Sequence, residues 1–285
     1  MTETDYKVHI SSGDAALTIA PDSPLRLLSG GLYGFDSTDF DVETGSYADD
    51  NGGYIKRRRF AEREICIKFE ITENDRIWRR QIVSLVNPRK DSMISVERDG
   101  VERRISAVPI GRVTFEQENF WDITAVTLRF LAPDPFLMAE KAQVLEFVEK
   151  RPLLTFPMNF YPKGMMTAGY TIHTDCGTAE NEGDAACGVI VTIRARGGSV
   201  VNPRVSCGDR FVRAAVTLED GDELVIDTRK RKKGIYLNGE NRLIFDRKST
   251  FFSLGVGQNE LKIHADSGKE YMAVRCEYVP LYFGL

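Results

Sequence analysis

The sequence is poor in histidine, tryptophan and cysteine, and it has no long apolar run. Its three histidines, His9, His173 and His264, stand at no H-E-x-x-H or related ligand spacing. It contains neither a G-x-S-x-G nucleophile elbow nor a G-x-x-x-x-G-K phosphate loop. Nothing singles out a carboxylate pair for glycoside hydrolysis. The reading is therefore of a chain without catalytic, cofactor-binding or metal-binding residues. No stretch approaches the roughly 18 apolar residues of a membrane-spanning helix, so no membrane partner is expected. The five cysteines, Cys66, Cys176, Cys187, Cys207 and Cys276, are odd in number and include no C-x-x-C pair, which excludes a disulfide framework. Cys176 and Cys187 bracket a Gly-rich acidic loop and are the pair a hairpin would bring together, although a reducing compartment argues against a bond. The opening "MTETDYKVHI" is acidic and polar, unlike a secretory signal, and folding in the cytoplasm is expected.

What is present is ordinary for a soluble globular protein: 42% hydrophobic and 28% charged residues over 285 positions, room for one large or two ordinary domains. The formal net charge of -4 supplies no overall attraction to nucleic acid or anionic lipid. Period-two alternation dominates. Tyr6, Val8 and Ile10 share one face, as do Ile65, Ile67, Phe69 and Ile71; Ile123, Val126 and Leu128 are read as a third set. The second half repeats the pattern in "VIVTIRA", "RVSC", "DELVIDT", "KGIYLNG", "ELKIHA" and "YMAVRCEY". Asp99-Gly100, Asp220-Gly221, Asn238-Gly239 and Ser267-Gly268 punctuate these runs as turns. Short strands at such spacing predict β-sandwiches or barrels.

One segment departs from alternation. Trp78, Ile82, Leu85 and Val86 fall at i, i+4, i+7 and i+8, which predicts an amphipathic helix near 75–86. Asn74 or Asp75 would cap its start, and Asn87-Pro88 would end it. The stretch from Gly30 to Tyr54 is loop-rich and glycine-rich, and with the long strand that follows through Ile71 it reads as an extended arm or as a loop ordered by a partner. Trp78 and Trp121 are assigned to the core of the first domain.

Three further motifs invite chemistry. Asp39-x-Asp41-x-Glu43 resembles the start of a calcium loop, but Thr44 stands where glycine is needed, and alternation with Phe40 and Val42 fits a half-exposed strand better. "KRRRF" (Lys56 to Phe60) and "TRKRKKG" (Thr228 to Gly234) resemble nucleic-acid patches. The second lies between two strands, where solvated charges at a hairpin tip explain it.

With no active site visible, two β-rich halves with an arm point to assembly or binding. The run from Trp78 to Phe136, with "SLVNPRK", "VERDGVERRISAVPIG", "FEQENFWDITAVTLRFLAPDPF", and the later "NEGDAACGVIVTIRARGGSVVNPRVS", "LEDGDELVIDTRKRKKGIYLNGENRL" and "STFFSLGVGQNELKIHA", resembles the distal tail (Dit) proteins of long-tailed phages. The likeness covers about three-quarters of the chain, and its order and spacing carry it. The chain departs from the family at Leu137 and Met138, where members commonly place aromatics, and over Pro157 to Asp184.

The resemblance implies a mainly β protein of two β-sandwich domains. Residues 1–140 would form a ring-making domain with one helix and an arm; residues 141–285 would form a galectin-like, carbohydrate-module-like sandwich. It implies a baseplate hub: a hexameric homo-oligomer at the end of the tail tube, assembled in the bacterial cytoplasm and carried in the virion tail. Its partners would be the tail tube protein, a tail-tip protein and receptor-binding or other baseplate proteins, with DNA passing through the ring unread. The arm would join subunits through Phe40, Val42, Tyr47, Tyr54, Arg57 and Arg58; folding back on its own domain is the alternative. A competing reading is a glycan-binding module using Tyr161 and Tyr170, with Phe251 and Phe252 as further candidates; against it, "STFFSL" reads as a strand whose phenylalanines are at least partly core. A tail-associated hydrolase is a third. The two prolines of "LAPDPF" are read as the seam between the domains, with Phe130 ending the last strand of the first.

Overall fold

The computed structural model describes residues 6–117, 123–152 and 169–285, and the chain divides into two compact units. One is Met1–Glu140 together with Leu281–Leu285; the other is Lys141–Pro280. The last five residues thus belong with the first unit, not with the second domain where the sequence reading put them.

The first unit opens with β1 (Tyr6–Ser12), β2 (Ala15–Ile19) and β3 (Leu25–Tyr33). A hairpin follows, β4 (Phe40–Ser46) and β5 (Gly53–Phe60), then β6 (Arg63–Ile71) and the helix α1 (Asp75–Leu85). β7 (Ser92–Arg98), β8 (Val101–Pro109), β9 (Thr114–Glu116), β10 (Thr124–Ala132) and β11 (Leu137–Ala139) complete it. The order β2-β1-β7-β8 makes one sheet and β10-β6-β3 the core of the other. β8 joins them: Val108 and Pro109 at its end pair with Leu131 and Phe130 of β10. The alternation explains the core, because Val8, Ile10, Ile65, Ile67, Phe69, Ile94, Val96, Val126, Leu128 and Phe130 all point inward and are buried.

β10 runs one residue out of the expected phase at its start. Thr124, not Ile123, shares the buried face of Val126 and Leu128, and Ile123 is 55% exposed. The helix forms where expected, with Ile82 and Leu85 buried and Trp78 and Val86 packed against the core. Asn74 takes the N-cap position, as expected, but with a left-handed φ of 56° and without a side-chain cap bond. Asp75 instead accepts from Arg79 at 2.5 Å, an i,i+4 pair inside the first turns. Asp99-Gly100 closes the β7–β8 hairpin with φ 51° and 79°, the positive pair a tight two-residue hairpin requires.

"LAPDPF" is not the seam. β10 continues through Ala132, and after Pro133 and Pro135 the chain enters β11, which pairs with β8 on one side and with Leu281–Tyr282 on the other. The prolines turn the chain from one sheet of the first unit to the other. The division between units falls after Glu140.

In the second unit come β12 (Gln143–Glu146), β13 (Val148–Pro152), β14 (Gly169–His173), β15 (Cys176–Asn181) and β16 (Val189–Ala195). They are followed by β17 (Val200–Val201), β18 (Arg204–Cys207), β19 (Arg210–Arg213), β20 (Thr217–Leu218) and β21 (Glu223–Asp227). The last are β22 (Gly234–Leu237), β23 (Glu240–Asn241), β24 (Gly257–His264) and β25 (Met272–Tyr278). A six-stranded sheet, β12-β25-β16-β21-β22-β23, and a four-stranded sheet, β15-β24-β18-β19, bury Val191, Ile193, Val205, Leu224, Leu261 and Val274. Tyr278 Oη of one sheet donates to the Glu180 carbonyl of the other at 3.0 Å. "STFFSL" is not a strand: between Lys248 and Gly255 only Leu254 makes a bridge, to Cys187, while Phe252 is buried. All five cysteines are free, with Cys176 exposed and Cys187 buried.

Candidate assembly surface

The segment Phe40–Phe60 folds as a two-stranded ribbon that pairs with no other strand among the described residues. At about 3.4 Å per residue its strands extend some 25 Å. Nearly every residue along them is exposed. The arm is narrower than the sequence suggests. Gly30 and Gly31 lie in β3, at an irregularity of the core sheet, and β6 is a core strand separate from β5.

The pairing register divides the ribbon into two unlike faces. Phe40 opposes Phe60, Val42 opposes Arg58, and after a bulge Thr44 opposes Ile55. Opposed residues share a face and alternate residues switch, so one face carries Phe40, Val42, Ile55 and Phe60 with Arg58 among them. The other carries Asp41 against Arg59 and Glu43 against Arg57, with Tyr54 over Gly45. Arg59 and Asp41 form an ion pair at 2.8 Å. The Tyr47 and Tyr54 rings meet at 5.3 Å, tilted by 47°, near the tip. The acidic trio read as a possible calcium loop therefore lies partly on a strand against arginines, and among the described residues no cluster could hold a metal ion.

An isolated two-stranded ribbon is marginal in water. This one is fixed at its root. The Phe60 ring meets Phe136 at 5.1 Å and Phe283 at 5.0 Å. Beside it, Arg63 is fully buried and donates three hydrogen bonds of 2.6 Å, from Nε to Pro135 O, from Nη1 to Gly34 O and from Nη2 to Phe283 O. Burial pulls its pKa down to about 10 and the charge of Asp39 opposes this, so the guanidinium stays cationic near neutral pH. Thr38 Oγ1 also donates to Phe283 O, and Leu285 N donates to Phe35 O. Gly284 lies so close to this backbone that a Cβ there would sit 2.2 Å from Asp36 O. The chain entering the arm, the proline corner and the final residues are thus tied to one buried cation.

The six residues that the sequence reading proposed for the arm, Phe40, Val42, Tyr47, Tyr54, Arg57 and Arg58, are all exposed on one hairpin, with Arg57 and Arg58 on opposite faces. That reading missed Arg63. The signal was there: position 63 is in phase with buried Ile65, Ile67 and Phe69, so a charge at that point must find buried partners. Of the glycan candidates, Tyr161 lies outside the described residues, as does Trp121. Tyr170 stands in β14 opposite Arg151. Phe252 is buried and Phe251 half-buried, so neither offers an open stacking platform. "TRKRKKG" forms the loop between β21 and β22.

Comparison with known proteins bears on the second unit first. Residues 182–282 match the model of the siphovirus-type tail component, C-terminal domain. That match covers most of the second unit and, of the first, only Leu281 and Tyr282. The whole chain is similar in fold to the Dit protein of phage SPP1, described as a paradigm of the hub adsorption apparatus in phages infecting Gram-positive bacteria. The TM-score is 0.67 at 12% identity, over 96% of this chain and 98% of that one. It is also similar to a chain of the phage P2 baseplate in its activated conformation with Ca, with a TM-score of 0.52 at 9% identity and 99% of both chains covered. At these identities the likeness is one of fold. No curated protein matches the chain in sequence. The resemblance to distal tail proteins thus holds in the sequence of the second unit and in the fold of the full chain.

Proposed function

We propose that this protein is the distal tail hub of a phage or of a phage-tail-like particle, a structural part and not an enzyme. Six copies would form a ring between the tail tube and the tail tip, with DNA passing through unread. The first unit would make the ring, and the second would dock receptor-binding or other baseplate proteins. Assembly would take place in the bacterial cytoplasm, before the protein is carried in the virion tail. The observation that carries this reading is the full-length fold likeness to SPP1 Dit, joined to the tail-component domain at residues 182–282.

The first unit supports it physically. A closed ring needs two different surfaces on each subunit, meeting heterologously. The arm offers one, an apolar ribbon face whose edges pair with no further strand among the described residues and suit strand addition. The outer side of α1 offers another, where Arg76, Ile77, Arg80, Gln81 and Ser84 line an open depression and Ile77 is exposed. Electron microscopy of tails, with the protein located by labelling, tests the reading. Label at the tube's distal end is expected, and label elsewhere or no label would overturn it.

A further inference from the structure

Arg229 to Lys233, five consecutive basic residues, form the exposed tip between β21 and β22. The tip is firmly mounted. Buried Thr228 exchanges hydrogen bonds with the Val189 backbone, and a Cβ at Gly188 would lie 2.5 Å from the Arg229 Cα. Arg229 is paired with Asp227, but Lys230, Arg231, Lys232 and Lys233 form no ion pair among the described residues.

The segment after β23 adds exposed Arg247 and Lys248, and with them two apolar side chains: Leu243, 89% exposed, and Phe245, 41% exposed. These do not hang on loose chain. Ala215 N donates to Ile244 O, Asp246 N to Arg213 O and Thr250 N to Phe211 O. Phe245 meets Phe251 edge-on at 6.4 Å, and Lys233 Nζ lies 5.9 Å from the Phe251 ring, so tip and segment form one surface.

On a chain of net charge -4 this is a concentrated basic corner. Solvation of a hairpin tip explains lysines, but not a leucine held almost fully exposed beside them on an anchored backbone. A bare polyanion would engage the cations and leave the leucine in water. A protein segment with carboxylates around an apolar anchor satisfies both. We propose that this face docks an acidic segment of another baseplate protein, its apolar side chain seated on Leu243 and Phe245 and its carboxylates facing Lys230–Lys233, Arg247 and Lys248. The proposal rests on the hub reading.

The test uses assembled tails carrying the full chain with Leu243→p-benzoylphenylalanine, photo-crosslinked and mapped by mass spectrometry. Variants Leu243→Ser and K230E/R231E/K232E/K233E are compared in parallel. The expected result is a crosslink to an acidic segment of a different tail protein. Both variants should stay in the tails while that protein falls by about tenfold or more. A crosslink to a second copy of this chain, to a segment without acidic residues, or to nothing overturns the proposal. So does partner loss with the charge reversals but not with Leu243→Ser, the mark of a polyanion. Absence of the unmodified protein from tails would instead defeat the hub reading, and this proposal with it.

Discussion

Arg63 Nη2 donates a 2.6 Å hydrogen bond to the carbonyl of Phe283, across 220 positions of sequence. With its bonds to Gly34 O and Pro135 O, it makes one side chain the shared anchor of the arm's entry, the proline corner and the final segment. A neutral replacement leaves three carbonyls without this donor, that of Pro135 buried and those of Gly34 and Phe283 partly so. Arg63→Met is expected to destabilise the first unit by about 3 kcal/mol or more. Chemical denaturation followed by first-unit fluorescence checks this; a change below about 1 kcal/mol would mean the bonds are redundant.

Removal of Leu281–Leu285 should act on the same anchor. It deletes the strand beside β11, the Tyr282 ring that Arg103 faces at 3.7 Å, and the Phe283 ring against Phe60. The loss of this partly buried apolar surface is expected to cost about 3 kcal/mol. Limited proteolysis should then cut between Gly34 and Ala61 in the truncated chain before it cuts there in the intact one. For the same reason a fragment ending at Glu140 is expected to be less stable than that fragment supplied with the final residues.

Thiol reactivity separates the cysteines. Burial pushes Cys187 up to about 11 and Cys276 up to about 12, and both are shielded from solvent. A maleimide reagent at neutral pH should label Cys176 in the native protein and reach Cys187 and Cys276 only on unfolding. Rapid native labelling of Cys276 would contradict the packing of β25 against β16.

Asp266 and Asp246 predict an acid limb for the second unit. Bonds from Asn202 and then Arg213 hold the Asp266 carboxyl below its ordinary value; the Lys248 backbone and then Arg213 do the same for Asp246. A depressed carboxylate contributes stability above the unfolded value and loses it as pH falls through the folded one. Thermal melts should therefore drop as pH falls below about 4, and less steeply in Asp266→Asn.

Much of this was legible in the chain. Alternation gave the strands of both units, the i, i+4, i+7 stripe gave α1, and Asp-Gly and Asn-Gly gave hairpin turns, because these patterns follow directly from local geometry. The exposed hairpin was readable in part, from its glycines and loop-rich composition, but not its bounds. The arm's root was not. Arg63 is satisfied by three backbone carbonyls, and no side-chain pattern marks which carbonyls will converge. "LAPDPF" misled for a related reason: two prolines signal a change of direction, but a corner inside one sandwich and a seam between two look alike in sequence. At "STFFSL" consecutive apolar residues suggested a strand, yet the segment is held mainly by bonds to β19 and a single bridge.

The most direct measurement compares tails carrying the natural chain with tails carrying V42D/I55D, two exposed positions on the apolar face of the ribbon. Because both side chains face solvent, the variant should melt within about 1 kcal/mol of the natural protein. Cryo-electron microscopy should show six-fold rings of the natural protein at the end of the tail tube, and a folded variant that forms none. Rings formed equally well by V42D/I55D, or tails in which the natural protein makes no ring, would contradict the assignment of the arm and of the hub.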